Sequence, residues 1–251
     1  MIFEKLCIEA FDERSISKDI HEMNDHIKSL LINAPPSHEI PFEVLQDIRR
    51  KGGGLLESQP YSEKAENRLI NQDNKKVTIR IFNNDSPNFV YLHIHGGGHC
   101  IGAADMQDQS LEKISNDLNC VVVSVEYRLA PANPYPAAPD DCEAAAIWLI
   151  ENSMSEFNTE KIVIGGESAG ANLSAVTLQR LKSKGLLGNV KGANLIYGSY
   201  DARLTPSALR QQGSDEIFLL SYEMIRKFRD SYFQGTLDLS LPDISPIQGD
   251  L

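Results

Sequence analysis

Lys161-Ile162-Val163-Ile164-Gly165-Gly166-Glu167-Ser168-Ala169-Gly170 is the stretch on which the fold of this chain turns. Lys161 to Ile164 reads as a buried strand, and Ala171 to Lys184 reads as a helix. Between them, Gly166-Glu167-Ser168-Ala169-Gly170 has the form G-x-S-x-G. In that context the motif makes a nucleophile elbow, a sharp strand-to-helix turn that holds a serine Oγ clear of the backbone. Such a serine is a weak nucleophile until a histidine takes its proton and a carboxylate orients that histidine. The fold that uses this elbow runs in the order Ser, acid, His. The six histidines here, His21, His26, His38, His93, His95 and His99, all precede Ser168.

The chain has 251 residues, enough for one large domain or two small ones with a substantial core. Hydrophobic residues make up 41% and charged residues 24%, an ordinary globular composition. A formal charge of −11 argues against nucleic acid or an anionic membrane as partner, since both need basic patches. The first residues, Met1 to Glu9, contain acids where a signal peptide needs a basic start and an apolar run, and no stretch is long enough to span a bilayer. Cys7, Cys100, Cys120 and Cys142 are sparse and irregularly spaced, so neither a disulfide framework nor a metal site is indicated. A cytoplasmic protein without a cofactor is the expectation.

Along the chain, residues 1–58 are helix-prone and polar, interrupted by Pro35-Pro36 and Pro41 and closed by Gly52-Gly53-Gly54. Val77, Ile79 and Ile81 alternate with polar residues between Lys75 and Phe82, the period of a half-buried strand. Phe89 to Ile94 is denser, as a central strand would be. A helical stretch from about Asp105 to Leu118 leads to Cys120-Val121-Val122-Val123-Ser124-Val125, whose apolar run predicts burial on both faces and hence a parallel sheet. Asp140 to Glu151 predicts a helix, and Val190 to Tyr197 one more strand after the elbow unit. Strands alternating with helices in this way predict βαβ units in an α/β fold, with helices on both faces of a mostly parallel sheet. Residues 202–235 return to helical composition, with Ile217, Leu220, Met224 and Phe228 at helical spacing as packing residues.

Two further motifs sharpen the signal. Alone, G-x-S-x-G arises by chance in roughly one chain in ten of this length, whereas a His-Gly-Gly-Gly run arises in on the order of a few per thousand. His95-Gly96-Gly97-Gly98 follows directly on the strand ending at Ile94. Glycines there let bare backbone approach a ligand and turn N–H groups toward a developing oxyanion. The third motif is Glu126-Tyr127-Arg128-Leu129-Ala130-Pro131, followed by Pro134-Tyr135-Pro136-Ala137-Ala138-Pro139-Asp140-Asp141; its prolines pin a loop and Arg128 has acidic neighbours to pair with.

In this order and spacing the three motifs resemble the hormone-sensitive-lipase family of α/β-hydrolases, the "HGGG" esterases, from about residue 60 to the last residue. The resemblance implies an N-terminal helical cap over 1–58, an α/β-hydrolase core over 59–251, and a second cap segment at about 202–235. It makes Ser168 the nucleophile and gives the oxyanion N–H groups to Gly97, Gly98 and Ala169. His95 and Gly96 shape the glycine loop, His93 reads as an ordinary strand residue, and His99 stands where the family usually has an aromatic residue.

In that family the acid and the base lie on two strand-to-helix turns after the second cap segment. Ser245-Pro246-Ile247-Gln248-Gly249-Asp250-Leu251 resembles the segment just before the strand that leads to the acid, so the C-terminal strands, the triad acid and its histidine are expected to be missing. Asp201, Asp215, Asp238, Asp243 and Asp250 follow Ser168 but read as cap, loop or terminal residues. Three readings result. The first is a C-terminally incomplete carboxylesterase acting on small or medium acyl esters. The second is a non-catalytic small-molecule binder, for which plant hormone receptors of the family are a precedent. The third is a chain completed by another subunit, because strand 190–197 would leave an apolar edge open to pairing and hence to a homo-oligomer.

Overall fold

Val121-Val122-Val123-Ser124-Val125 is fully buried, and its neighbours on both sides explain why. In the computed structural model, which describes residues 15–32, 34–52, 59–213, 220–235 and 238–250, the described strands form one sheet in the order β1-β2-β4-β3-β5-β6. They are β1 (Glu66–Gln72), β2 (Lys75–Phe82), β3 (Val90–Ile94), β4 (Val121–Glu126), β5 (Ile162–Glu167) and β6 (Val190–Ile196). The helices are α1 (Lys18–Leu31), α2 (Phe42–Arg50), α3 (Asp108–Leu118), α4 (Ala137–Phe157), α5 (Ala169–Ser183), α6 (Pro206–Leu209) and α7 (Tyr222–Phe233). Strand β3 pairs in parallel with β4 and β5, and β5 with β6, while β1 and β2 join antiparallel at the other edge. The parallel, doubly covered centre is the expected one.

Side-chain alternation sorts the core into two layers. Val121, Val123 and Val125 pack with Leu92, Ile94, Ile162 and Ile164 in the larger cluster, which also holds residues of α4 and α5. Val122, Tyr91 and Phe82 point the other way and pack with Leu111 of α3. Helices therefore cover both faces. Helix α4 is longer than the predicted 140–151 and buried along most of its length, and α5 starts at Ala169, immediately after the serine.

Strand β1 is an addition to the sequence reading. Glu66-Asn67-Arg68-Leu69-Ile70-Asn71-Gln72 hardly alternates, and its one buried apolar residue, Ile70, sits beside Leu69, which is 63% exposed. Asp73 and Asn74, both at positive φ, close the β1–β2 hairpin; this is the conformation a two-residue hairpin turn requires. Leu220, predicted as a packing residue, is 45% exposed and is corrected to a surface position, whereas Met224 is buried and Phe228 packs against the core. Cys7, Gly53-Gly54, Asp215 and Ile217 lie outside the described residues.

Three arginines fasten the connections. Arg128 forks onto Asp141 at 2.8–3.2 Å, the acidic pairing expected of that motif. Buried Arg80 donates to Asp108, to the Ser62 carbonyl at 2.7 Å, and to Tyr61 Oη and Asn67 Oδ1 at 3.0 Å, tying β2 to α3 with its charge matched. Arg180 of α5 gathers Asp243 (2.5 and 2.6 Å), Asp140 (2.9 Å) and Glu143 (3.1 Å), which anchors the segment 238–250 on the core. Asp243 is thus an ion-pair residue, Asp250 pairs with Lys182, Asp201 with Arg203, and Asp238 holds the turn at Ser240. Beyond β5, β6 forms the sheet edge, with Ile196 40% and Tyr197 76% exposed.

Candidate active site

Ser168 has φ 56° and ψ −119°, a conformation that costs a non-glycine residue on the order of 1–3 kcal/mol and persists only where the surroundings impose it. Its N–H donates to the Ile196 carbonyl at 2.9 Å and its carbonyl accepts the Asn172 N–H at 3.1 Å, so β6 and the first turn of α5 hold it from both sides. Gly166 and Gly170 flank it because the end of β3 runs through the notch between them. A Cβ on Gly166 would lie 2.0 Å from the Ile94 carbonyl oxygen, and one on Gly170 1.9 Å from the same atom. That crossing brings the glycine loop to the elbow: a Cβ on Gly96 would stand 3.3 Å from Ser168 Cβ.

The loop from His95 to Gly102 is tightly specified. Gly97, at φ 131°, accepts the N–H groups of Cys100 and Ile101, and a Cβ there would collide with the Ile101 carbonyl at 1.9 Å. Among the described residues, none accepts the amide N–H of Gly97, Gly98 or Ala169. Ala169 opens α5, where the unsatisfied N–H groups and the helix dipole favour negative charge. The arrangement therefore sets a half-buried serine on a strained turn against the glycine loop, whose Gly97 and Gly98 N–H groups have no acceptor among the described residues.

His95 shapes this loop. Its Nδ1 lies 2.9 Å from the Gly96 carbonyl, its ring stacks on Tyr127 at 4.2 Å, and Tyr127 Oη donates to the His95 carbonyl at 2.9 Å. Burial pushes its imidazole down to about 3, so the ring is neutral. His99, at φ 63°, stacks flat on Tyr232 of α7 with centroids 3.9 Å apart, and burial lowers it to about 4. It occupies the aromatic position by behaving as an aromatic ring. Among the described residues, no histidine or carboxylate is hydrogen-bonded to Ser168 Oγ.

His93 departs from the reading as an ordinary strand residue. Nδ1 lies 3.0 Å from Ser124 Oγ and Nε2 3.1 Å from Glu167 Oε2, while Glu167 Oε1 accepts the Gly96 N–H at 2.7 Å and the Gln107 side-chain amide. Burial alone would raise the Glu167 carboxyl; His93, the Gly96 N–H and Gln107 outweigh it and hold the group at about 2. Ser124, His93 and Glu167 imitate a hydrolytic triad, yet Ser124 is fully buried. No motif pointed to His93 or Gln107; Glu167 was visible only as the variable position before the serine.

Segments from both ends of the chain meet over the loop. Phe228 of α7 packs on Gly98, where a Cβ would lie 2.4 Å from its ring, and stacks on Phe42 of α2 at 5.5 Å. The Gln46 amide both donates to the Gly102 carbonyl (2.8 Å) and accepts the Gly102 N–H (2.6 Å).

A family profile described as "alpha/beta hydrolase fold" matches residues 91–251. The chain belongs to that family, in its hormone-sensitive-lipase-type group of esterases. Among characterised relatives, an ethyl acetate hydrolase of Pseudomonas putida is 27% identical over 187 residues, 72% of this chain and 58% of its own length. An arylesterase of Saccharolobus solfataricus is 35% identical over 138 residues, 53% of this chain and 45% of its own. The carboxylic ester hydrolase LipN of Mycobacterium tuberculosis is 41% identical over 92 residues, 24% of its length. The chain thus spans less than two thirds of the curated relatives it matches. In shape it is similar to a hyperthermophilic esterase from the archaeon Pyrobaculum calidifontis, with a TM-score of 0.79 over 94% of this chain and 76% of that one at 24% identity, which is a likeness of fold. No helix among the described residues is long and apolar enough to cross a membrane.

Proposed function

We propose that this protein is a carboxylic-ester hydrolase site in which Ser168 is the nucleophile. Its Oγ gives up its proton to solvent base, which returns one to the departing alcohol, as it attacks the carbonyl carbon of a small or medium acyl ester; the carbonyl π pair moves onto oxygen, and the oxyanion rests on the N–H groups of Gly97, Gly98 and Ala169. Collapse expels the alcohol and leaves an acyl-serine, which water releases as the acid. The observation that carries this reading is the strained elbow at Ser168 in contact with the glycine loop, with the N–H groups of Gly97, Gly98 and Ala169 lacking an acceptor among the described residues. Segments 1–58 and about 202–235 act as the cap, and their described parts meet through Phe42 and Phe228. The ester-hydrolysing relatives support the reaction class.

The proton acceptor is not supplied by the described histidines: His95 and His99 are buried neutral rings, His93 is held by Ser124 and Glu167, and His21, His26 and His38 sit on the N-terminal helical segment with no hydrogen bond to Ser168. The 251-residue chain is therefore nearly inert in turnover. Loss of the triad base costs about 10⁶ in kcat, with some 10³–10⁴ over water surviving from the oxyanion hole and binding. Prolonged incubation with p-nitrophenyl acetate, followed by tryptic mapping, is expected to leave acyl on Ser168 within the peptide Ile162–Arg180. Acylation spread over lysines with none on Ser168 contradicts the reading. That no described histidine bonds Ser168 also favours a second reading, a small-molecule binder on the same fold, and that binder gives no acyl-serine.

A further inference from the structure

The hydroxyl of Ser168 and the N–H groups of Gly97 and Gly98 come from different loops, yet an oxyanion site works only if they keep one geometry. Supporting groups must hold such a constellation within about 0.5 Å, and a misplacement of about 1 Å can cost 10²-fold in rate. Most anchors of the glycine loop lie away from the serine. Tyr127 holds the His95 carbonyl, His95 Nδ1 holds the Gly96 carbonyl, and Gln46 holds Gly102. Glu167 is different. It is the residue next to Ser168 on the elbow, and its carboxylate takes the Gly96 N–H at 2.7 Å, joining the nucleophile's turn to the donors' loop in one step.

We propose that Glu167, braced by His93 and Gln107, is a positioning residue that fixes the oxyanion N–H groups relative to Ser168. The proposal rests on the ester-hydrolase reading. The brace leaves the carboxylate little freedom: Oε2 faces His93 Nε2 at 3.1 Å, and Oε1 receives the Gln107 amide besides Gly96. His93 is fixed in turn by Ser124 Oγ at 3.0 Å, in the middle of β4. A Cβ on Gly96 would lie 2.8 Å from the Glu167 carbonyl, so loop and elbow touch without room for another side chain.

The arrangement separates the roles of shape and charge. A glutamine at 167 keeps an oxygen for the Gly96 N–H and turns its NH₂ to His93, which accepts at Nε2 and donates from Nδ1 to Ser124. A leucine keeps the bulk and leaves the Gly96 N–H and Gln107 without their acceptor. The probe is butylboronic acid, which binds as a tetrahedral boronate when Ser168 Oγ adds to boron and the hydroxyl proton passes to buffer. It mimics the oxyanion adduct and needs no turnover.

Boronate affinity is measured in the full chain for wild type, Glu167→Gln and Glu167→Leu, together with amide hydrogen exchange at residues 96–98, well below each variant's melting temperature. Glu167→Gln is expected to stay within about 3-fold of wild type, and Glu167→Leu to weaken by 10-fold or more with faster exchange confined to 96–98. A leucine variant that binds boronate with wild-type affinity overturns the proposal and leaves the ester-hydrolase reading intact. So does a glutamine variant that loses as much as leucine. A wild-type protein that forms no boronate on Ser168 overturns that reading and the proposal with it.

Discussion

Replacing Gly170 with alanine sets two effects of opposite sign against each other. Gly170 lies in the first turn of α5, where helix propensity favours alanine by up to about 1 kcal/mol. The new Cβ would stand 1.9 Å from the Ile94 carbonyl oxygen, 2.6 Å from its carbon and 2.7 Å from the His95 carbonyl oxygen. All three are backbone atoms where β3 leaves the sheet centre, so no side-chain rotation relieves them. Either the helix start or the end of β3 must retreat by about 1 Å. Overpacking costs about 1–3 kcal/mol, and a 1.9 Å clash with backbone lies in the upper part of that range, at about 2–3 kcal/mol, so sterics win with a net loss of about 1–2 kcal/mol. For a chain of this size that is a fall of roughly 2–8 °C in melting temperature. Circular-dichroism melts of Gly170→Ala beside wild type test this. The control is Gly188→Ala, where nothing lies within 4 Å of the added Cβ and no shift above roughly 0.5 kcal/mol is expected. A Gly170→Ala protein that melts at or above wild type refutes the steric reasoning.

Arg180→Ala strips Asp243, Asp140 and Glu143 of a shared partner and is expected to destabilise by on the order of 2–3 kcal/mol, with 238–250 becoming the first segment to exchange; unchanged exchange there contradicts its anchoring role. His95 and His99, lowered by burial from 6.5 to about 3 and about 4, contribute stability that is complete above 6.5 and lost as pH falls toward those values, each at up to about 1.4 kcal/mol per pH unit; urea unfolding from pH 7 to 4 should show their summed slope, and a flat profile denies both buried neutral rings. The Glu167 carboxyl, depressed from 4.5 to about 2, adds a loss confined to pH below 4.5, which Glu167→Gln removes. Exposed Ile196 and Tyr197 at the β6 edge are expected to drive self-association, which Tyr197→Lys reduces in sedimentation equilibrium; a monomer at all concentrations contradicts this.

The parallel centre of the sheet was legible because burial on both faces leaves a compositional trace: Val121–Val123 and Ile162–Ile164 are apolar on consecutive positions, and Val125 resumes the first run after Ser124. The elbow and the glycine loop were legible because they need residues without Cβ at fixed spacings, and the contacts at Gly97, Gly166 and Gly170 show how little room there is. Strand β1 left no such trace, since at the sheet's antiparallel edge Ile70 alone among its residues is buried. The His93–Glu167–Gln107 brace was invisible for another reason. Its members lie 14 to 74 positions apart in sequence and meet only because β3 and β5 pair and the start of α3 folds back over them. Leu220 was misread because it precedes Ser221, the N-cap of α7, and so lies off the helix that its spacing implied.

Nucleophilic catalysis here requires Ser168 Oγ to stand where a tetrahedral adduct can form against the glycine loop. Boron-11 NMR of butylboronic acid with the 251-residue chain tests this without any proton acceptor. A protein-bound tetrahedral boronate signal that disappears in Ser168→Ala is expected. No such signal, or one that survives in Ser168→Ala, contradicts it.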